Sequence, residues 1–181
     1  MLKPLWIFFV LLASPILANE ALKGTKTIHL LDVQNRQVAV GKIIFSPAHK
    51  HTTYQIHIDH AKFKDFFLSM KEMKCLEGPE LWCHLPYPYK TPRQVTVTDL
   101  TWLAHDLLFM YKKKSEFGAN FYNGIYYQLR IEDGVIVGSA HAVDLNLLAA
   151  PPEHNDFAPI TLHDIDEMEP KHRWLPRLVI K

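Results

Sequence analysis

Between Gly124 and Asp144 the chain reads GIYYQLRIEDGVIVGSAHAVD, two alternating arms around Asp133–Gly134. Asp-Gly is a strong signal for a two-residue type I′ turn, which needs positive φ at both central positions. Registering the arms on that turn pairs Ile131 with Ile136, Leu129 with Gly138 and Tyr127 with Ala140. Large side chains thus meet small ones on a face that must pack closely. The opposite face pairs Tyr126 with His141 and Arg130 with Val137. A hairpin of this regularity commits the fold to antiparallel sheet.

Three further strands precede it. KTIHLLDV (Lys26–Val33) and QVAVGKIIF (Gln37–Phe45) flank a polar QNR and suit antiparallel pairing. TTYQIHIDH (Thr52–His60) follows the loop SPAHKH. Its alternation sets Tyr54, Ile56 and Ile58 against Gln55, His57 and Asp59. TYQIHID (Thr53–Asp59) and YYQLRIE (Tyr126–Glu132) resemble each other, as two strands of one pattern do. The period then changes to 3.6. Phe63, Phe66, Phe67, Met70 and Met73 fall within about a third of a helical wheel, predicting an amphipathic helix over Ala61–Met73.

A second helix is predicted from Asp99 to Lys113, capped by Thr98 or Asp99 and closed near Gly118. Leu100, Leu103, Ala104, Leu107, Leu108, Met110 and Tyr111 form its apolar face; Trp102, His105, Asp106 and Phe109 lie opposite. Trp102 and Phe109 there imply cover by the chain's own loops or a partner. The basic run Tyr111–Lys114 suits a helix C-terminus. LAAPPEHNDFAP (Leu148–Pro159) reads as a loop, and WLPRLVI (Trp174–Ile180) as an edge strand because of Pro176. The expected fold class is α+β: a mainly antiparallel β-sheet of about five or six strands, with the two amphipathic helices inserted after the third strand.

MLKPLWIFFVLLASPILA opens the chain with a basic residue, a short apolar core and a helix break. That is the pattern of a signal peptide over residues 1–18, cleaved near Ala18–Asn19. Its apolar run is shorter than the ~20 residues needed to span a bilayer. No later segment is apolar enough to insert, so no stable membrane insertion is expected after cleavage. Removing eighteen of 181 residues leaves 163, the size of a single domain over residues 19–181. Without Lys3, 19 Lys+Arg face 19 Asp+Glu, and this neutrality argues against nucleic acid and anionic membranes as partners.

Export gives meaning to KCLEGPELWCHLPYPY (Lys74–Tyr89), which holds both cysteines. Cys75 and Cys83 enclose a short loop with Gly78–Pro79 at its reversal, and a disulfide is expected. Pro86 and Pro88 hold Leu85 and Tyr87 extended. Stapled in this way, Trp82, His84, Tyr87 and Tyr89, with Trp102 and Phe109, form the candidate binding surface for a protein or envelope component. The same rings in a structural role would roof one end of the core.

Sharper chemistries find weaker footing. Cys83–His84 lacks the Cys-x-x-Cys-His of covalent haem, and the cysteine spacing is too wide for a dithiol oxidoreductase. Met70, Met73, Cys75, Cys83 and His84 are soft-metal ligand types, but the methionines belong to an apolar stripe. His49, His51, His57 and His60 lack a tight zinc spacing. No Gly-x-Ser-x-Gly occurs, and no catalytic residue, metal or cofactor is assigned. An alternative small-ligand or enzymatic site is the sheet face of Tyr126, Arg130, Ser139 and His141, which has no evident carboxylate orienter beyond Glu132.

KCLEGPELWCHLPYPY, DLLF (Asp106–Phe109), NGIYYQLR (Asn123–Arg130), LAAPP (Leu148–Pro152) and WLPRL (Trp174–Leu178) resemble a family of small uncharacterised exported proteins of Gram-negative bacteria. The resemblance implies a periplasmic or secreted location. It carries no reaction, cofactor or functional residue.

Overall fold

The computed structural model describes residues 19–68, 72–151 and 157–181. The expected signal peptide lies outside them. Along the chain run β1 (Gly24–Leu31), β2 (Gln37–Pro47), β3 (Thr52–Ile58), β4 (Lys64–Phe67), β5 (Glu72–Glu77), β6 (Leu81–His84) and β7 (Gln94–Val95). Helix α1 (Thr101–Asp106) follows, then β8 (Phe109–Lys112), β9 (Gly124–Glu132), β10 (Val135–Val143), β11 (Ile165–Glu167) and β12 (Arg177–Ile180). All twelve strands join one sheet in the order β4-β5-β6-β8-β9-β10-β12-β1-β2-β3-β7, with β11 beside the far half of β10. Each pairing is antiparallel.

The sheet curls because residues from nearly its whole width share one core. Leu76 of β5, Trp82 of β6, Phe109 of β8, Tyr127 of β9, Leu178 of β12, Ile28 of β1, Phe45 of β2 and Tyr54 of β3 belong to a single buried cluster. Leu103 and Leu107 of the α1 region plug it. A second cluster forms on the other face of β5, β6, β8 and β9, where Cys75, Cys83, Met110 and Tyr126 meet Leu145, Leu148 and Ile160. Strands β6 and β8 are therefore buried on both faces.

The β9–β10 hairpin forms in the register the Asp-Gly turn dictates. Ile131 faces Ile136, Leu129 faces Gly138, Tyr127 faces Ala140, Tyr126 faces His141, and Arg130 faces Val137. Asp133 and Gly134 take φ of 48° and 78°. In β3, Tyr54 points into the core while Gln55 and His57 are exposed, as the alternation requires.

The expected α+β sheet of five or six strands is corrected to a twelve-stranded, mostly antiparallel sheet. Neither amphipathic helix forms as expected. In place of the helix over Ala61–Met73, the described residues form a short 3-10 turn at His60–Lys62, then β4 and the start of β5; Ser69, Met70 and Lys71 lie outside them. Charged side chains of β4 pair with those of β5: Lys64 with Glu77 and Asp65 with Lys74, each at 2.5 Å. Phe66 faces Met73 across the same pair.

The helix expected over Asp99–Lys113 lasts six residues and gives way to β8. Leu107–Met110 is apolar at every position, which suits a strand buried on both sides and carries no period of its own. The expected edge strand is also corrected: β12 lies between β10 and β1. Pro176 stands just outside it, where no N–H is required, and its carbonyl accepts from Ala140 N at 2.9 Å.

Candidate functional site

The cysteines occupy directly opposed positions of β5 and β6, and Cys75–Cys83 is a disulfide. Both are fully buried. The hairpin they close is clamped at its tip. A Cβ on Gly78 would stand inside the indole of Trp174. Glu80 accepts from Arg173 Nη1 and from Trp174 N, both at 3.1 Å. The Arg173 guanidinium lies 3.6 Å from the centre of the Tyr111 ring, a cation–π contact.

Beyond β6 the chain stays extended and is fixed to the α1–β8 corner. Leu85 N donates to Leu108 O at 2.9 Å, and Tyr87 N donates to His105 O at 3.0 Å. His84 Nε2 donates to Asp106 O at 3.0 Å. The prolines stand at the alternate positions 86 and 88, where the backbone has no inward partner to lose. Burial pulls the His84 pKa down to about 4, with His60 contributing in the same direction, so the ring is neutral at pH 7.

Tyr87 turns inward, onto a ring cluster around His105. Tyr87, Trp102 and Tyr126 have centroids 5.8, 5.6 and 5.6 Å from its imidazole. His105 Nδ1 donates to Thr101 O at 2.8 Å, while Nε2 accepts from Ile160 N at 3.2 Å. Those two bonds define a neutral tautomer, and burial holds its pKa below the ordinary range. Tyr54 OH donates to the buried Asp106 Oδ2 at 2.9 Å; burial pushes that carboxyl up. His105 and Asp106, expected on a wet helix face, are interior polar groups with partners.

The sequence-derived surface therefore divides. Trp82 and Phe109 are fully buried and have no surface to offer. Tyr87 is buried, while His84, Tyr89 and Trp102 are half-buried. Tyr89 OH reaches Leu148 O at 3.3 Å. The disulfide removes both thiolates from the soft-metal set, and Met70 lies outside the described residues. His57 and His60 line separate depressions, and among the described residues no three His, Cys, Asp or Glu side chains converge as a metal set.

On the alternative face, Tyr126 is buried under His105. Arg130 is paired with Glu132 at 2.5 Å, and His141 Nδ1 donates to Ser139 O at 3.0 Å. None of these four residues lines the cleft beside Leu85–Pro88.

That cleft, about 800 Å³, opens beside the stapled hairpin. Leu85, Pro86, Tyr87 and Pro88 supply one part of its lining, and Phe121, Leu145, Leu148 and Ala149 another. Met73 and Glu72 of β5, with His84 and His60, complete the stretch nearest the disulfide. Its second part was invisible to sequence reasoning. The register Gly124↔Val143 sets the 3-10 turn Phe121–Asn123, which leads into β9, beside the 3-10 turn Leu145–Leu148, which leaves β10. The hairpin register was readable; what its open end would build was not.

No family model, no curated protein and no solved structure matches the chain.

Proposed function

We propose that this is an exported binding protein that takes a ligand with an apolar body into the cleft beside the Cys75–Cys83 hairpin. The observation that carries the reading is the cleft itself. Its volume of about 800 Å³ falls within the ~300–1,000 Å³ of small-molecule sites. Stiff side chains on a segment tied down by three hydrogen bonds form part of its lining. Such a surface loses little conformational entropy when a ligand arrives. The leader-like first eighteen residues and the disulfide favour a periplasmic or secreted setting. A ligand drawn from the envelope fits that setting better than a protein docked on displayed rings, because Trp82 and Phe109 are sealed.

The test is uptake of N-phenyl-1-naphthylamine, a neutral apolar dye that brightens on leaving water, by the purified oxidised protein. Dye binding that is saturable and lost in Ala149→Trp, which fills the cleft from an exposed position, is the expected result. No binding, or binding untouched by Ala149→Trp, overturns the reading.

A further inference from the structure

The polar groups that line the cleft are unevenly engaged. Along Leu85–Pro88 the two backbone N–H groups are bound to Leu108 O and His105 O, and the prolines have none. His84 has its Nε2 proton on Asp106 O, which leaves Nδ1 as a bare acceptor. Among the described residues the one ammonium of the lining, Lys74, is tied to Asp65 at 2.5 Å. The Asn146 amide donates to Asp144 Oδ1 at 2.7 Å. Glu72 is different: it is exposed, and among the described residues it makes no ion pair. An imidazole lone pair and a carboxylate are thus open, while the named donors are already satisfied. Tyr87 and Phe121 add ring surfaces of the kind that attract cations.

We propose that the cleft selects cationic amphiphiles, ligands whose apolar body carries an ammonium group, with Glu72 as the counter-charge in a lining that also holds the Tyr87 and Phe121 rings. This rests on the binding function proposed above. An anionic amphiphile of the same chain length meets Glu72 as a like charge and finds its donors engaged. A neutral one loses only the charge attraction. The order of affinity follows from that difference: ammonium, then alcohol, then carboxylate.

Displacement of N-phenyl-1-naphthylamine by octylammonium, octanol and octanoate at pH 7.5 tests it. Octylammonium should compete about tenfold better than octanoate, with octanol between them. Glu72→Gln should bring octylammonium down towards the level of octanol and leave octanol unchanged; octanol binding checks the fold of the variant directly. Octanoate equal to or better than octylammonium overturns the proposal, as does an unchanged preference in Glu72→Gln. If octanol displaces the dye and octylammonium gains nothing over it, the cleft remains a binding site and the charge preference falls. If none of the three displaces the dye, the charge preference falls; if the dye itself is not taken up, or is taken up equally by Ala149→Trp, both fall.

Discussion

The β9–β10 and β5–β6 hairpins are built on opposite plans. In β9–β10, nine-residue arms meet at a two-residue turn, and every pair in the ladder follows from that turn. In β5–β6, arms of six and four residues share only three register pairs. A two-stranded ribbon that short is at best marginal in water. Its order comes from elsewhere: the disulfide, the Trp174 indole over Gly78, and Glu80 held by Arg173 and Trp174. One hairpin is specified by its own sequence, the other by cross-links and residues nearly a hundred positions away.

The largest effect separating the two plans is expected from the double substitution Cys75→Ala/Cys83→Ala. Chain-entropy reasoning for so small a loop gives a loss of roughly 2–3 kcal/mol. Urea unfolding should show that loss, and hydrogen exchange should show it concentrated in β5–β6, with the β9–β10 amides still protected. Equal loss of protection in both hairpins would mean that the two are one cooperative unit and the contrast is false.

The same contrast explains what was legible in the sequence. Period two, β-branched arms and Asp133–Gly134 made β9–β10 readable to the register, and Tyr54, Ile56 and Ile58 made β3 readable to the face. Strand β8 was not, because Leu108, Phe109 and Met110 are buried and leave no period to follow; β12 was readable as a strand, but Pro176 pointed to an edge while the strand lies between β10 and β1. Strand β4 was hidden by coincidence: Phe63, Phe66 and Phe67 lie together on a helical wheel as well as in a turn and strand. The disulfide was legible from the leader-like start of the sequence and the cysteine count, but the cleft was not, since it gathers residues from His60 to Ala149 through tertiary pairing. The segment His84–Tyr89 was expected to display its rings as a binding surface. Tyr87 instead turns inward, where the N–H groups of Leu85 and Tyr87 find partners at the α1–β8 corner.

A middle-sized effect should appear with pH, again at the end of β6. Burial lowers His84 from the ordinary 6.5 to about 4, so the unfolded chain takes up this proton first on acidification. Its contribution to stability is complete above pH 6.5 and is lost as pH falls from 6.5 towards 4. His105, lowered by burial, acts in the same direction; Asp106, raised by burial, acts against both. Comparing the wild type with His84→Gln isolates the one ring. The variant should lose less stability per pH unit between 6.5 and 5, by at most one proton or about 1.4 kcal/mol per unit. Parallel urea midpoints for the two proteins over that range would show that His84 is hydrated.

The smallest effect belongs to β9. Arg130 and Glu132 form an ion pair at 2.5 Å with more than half of each side chain in solvent, 58% and 51%. In such a setting the Coulomb gain is screened and two long side chains must be held still. Arg173 and Glu80 form the same kind of pair at 20% and 13% exposure, backed by the Tyr111 ring. Arg130→Ala should therefore change stability by no more than about 0.5 kcal/mol, within about 2 °C of the wild-type melting temperature for a chain of this size. It should leave dye uptake unchanged as well, because Arg130 does not line the cleft. A clear fall in dye uptake without a fall in melting temperature would move the binding site from the stapled hairpin to the sheet face of β9. The two hairpins would then exchange roles, with the self-specified one carrying the chemistry.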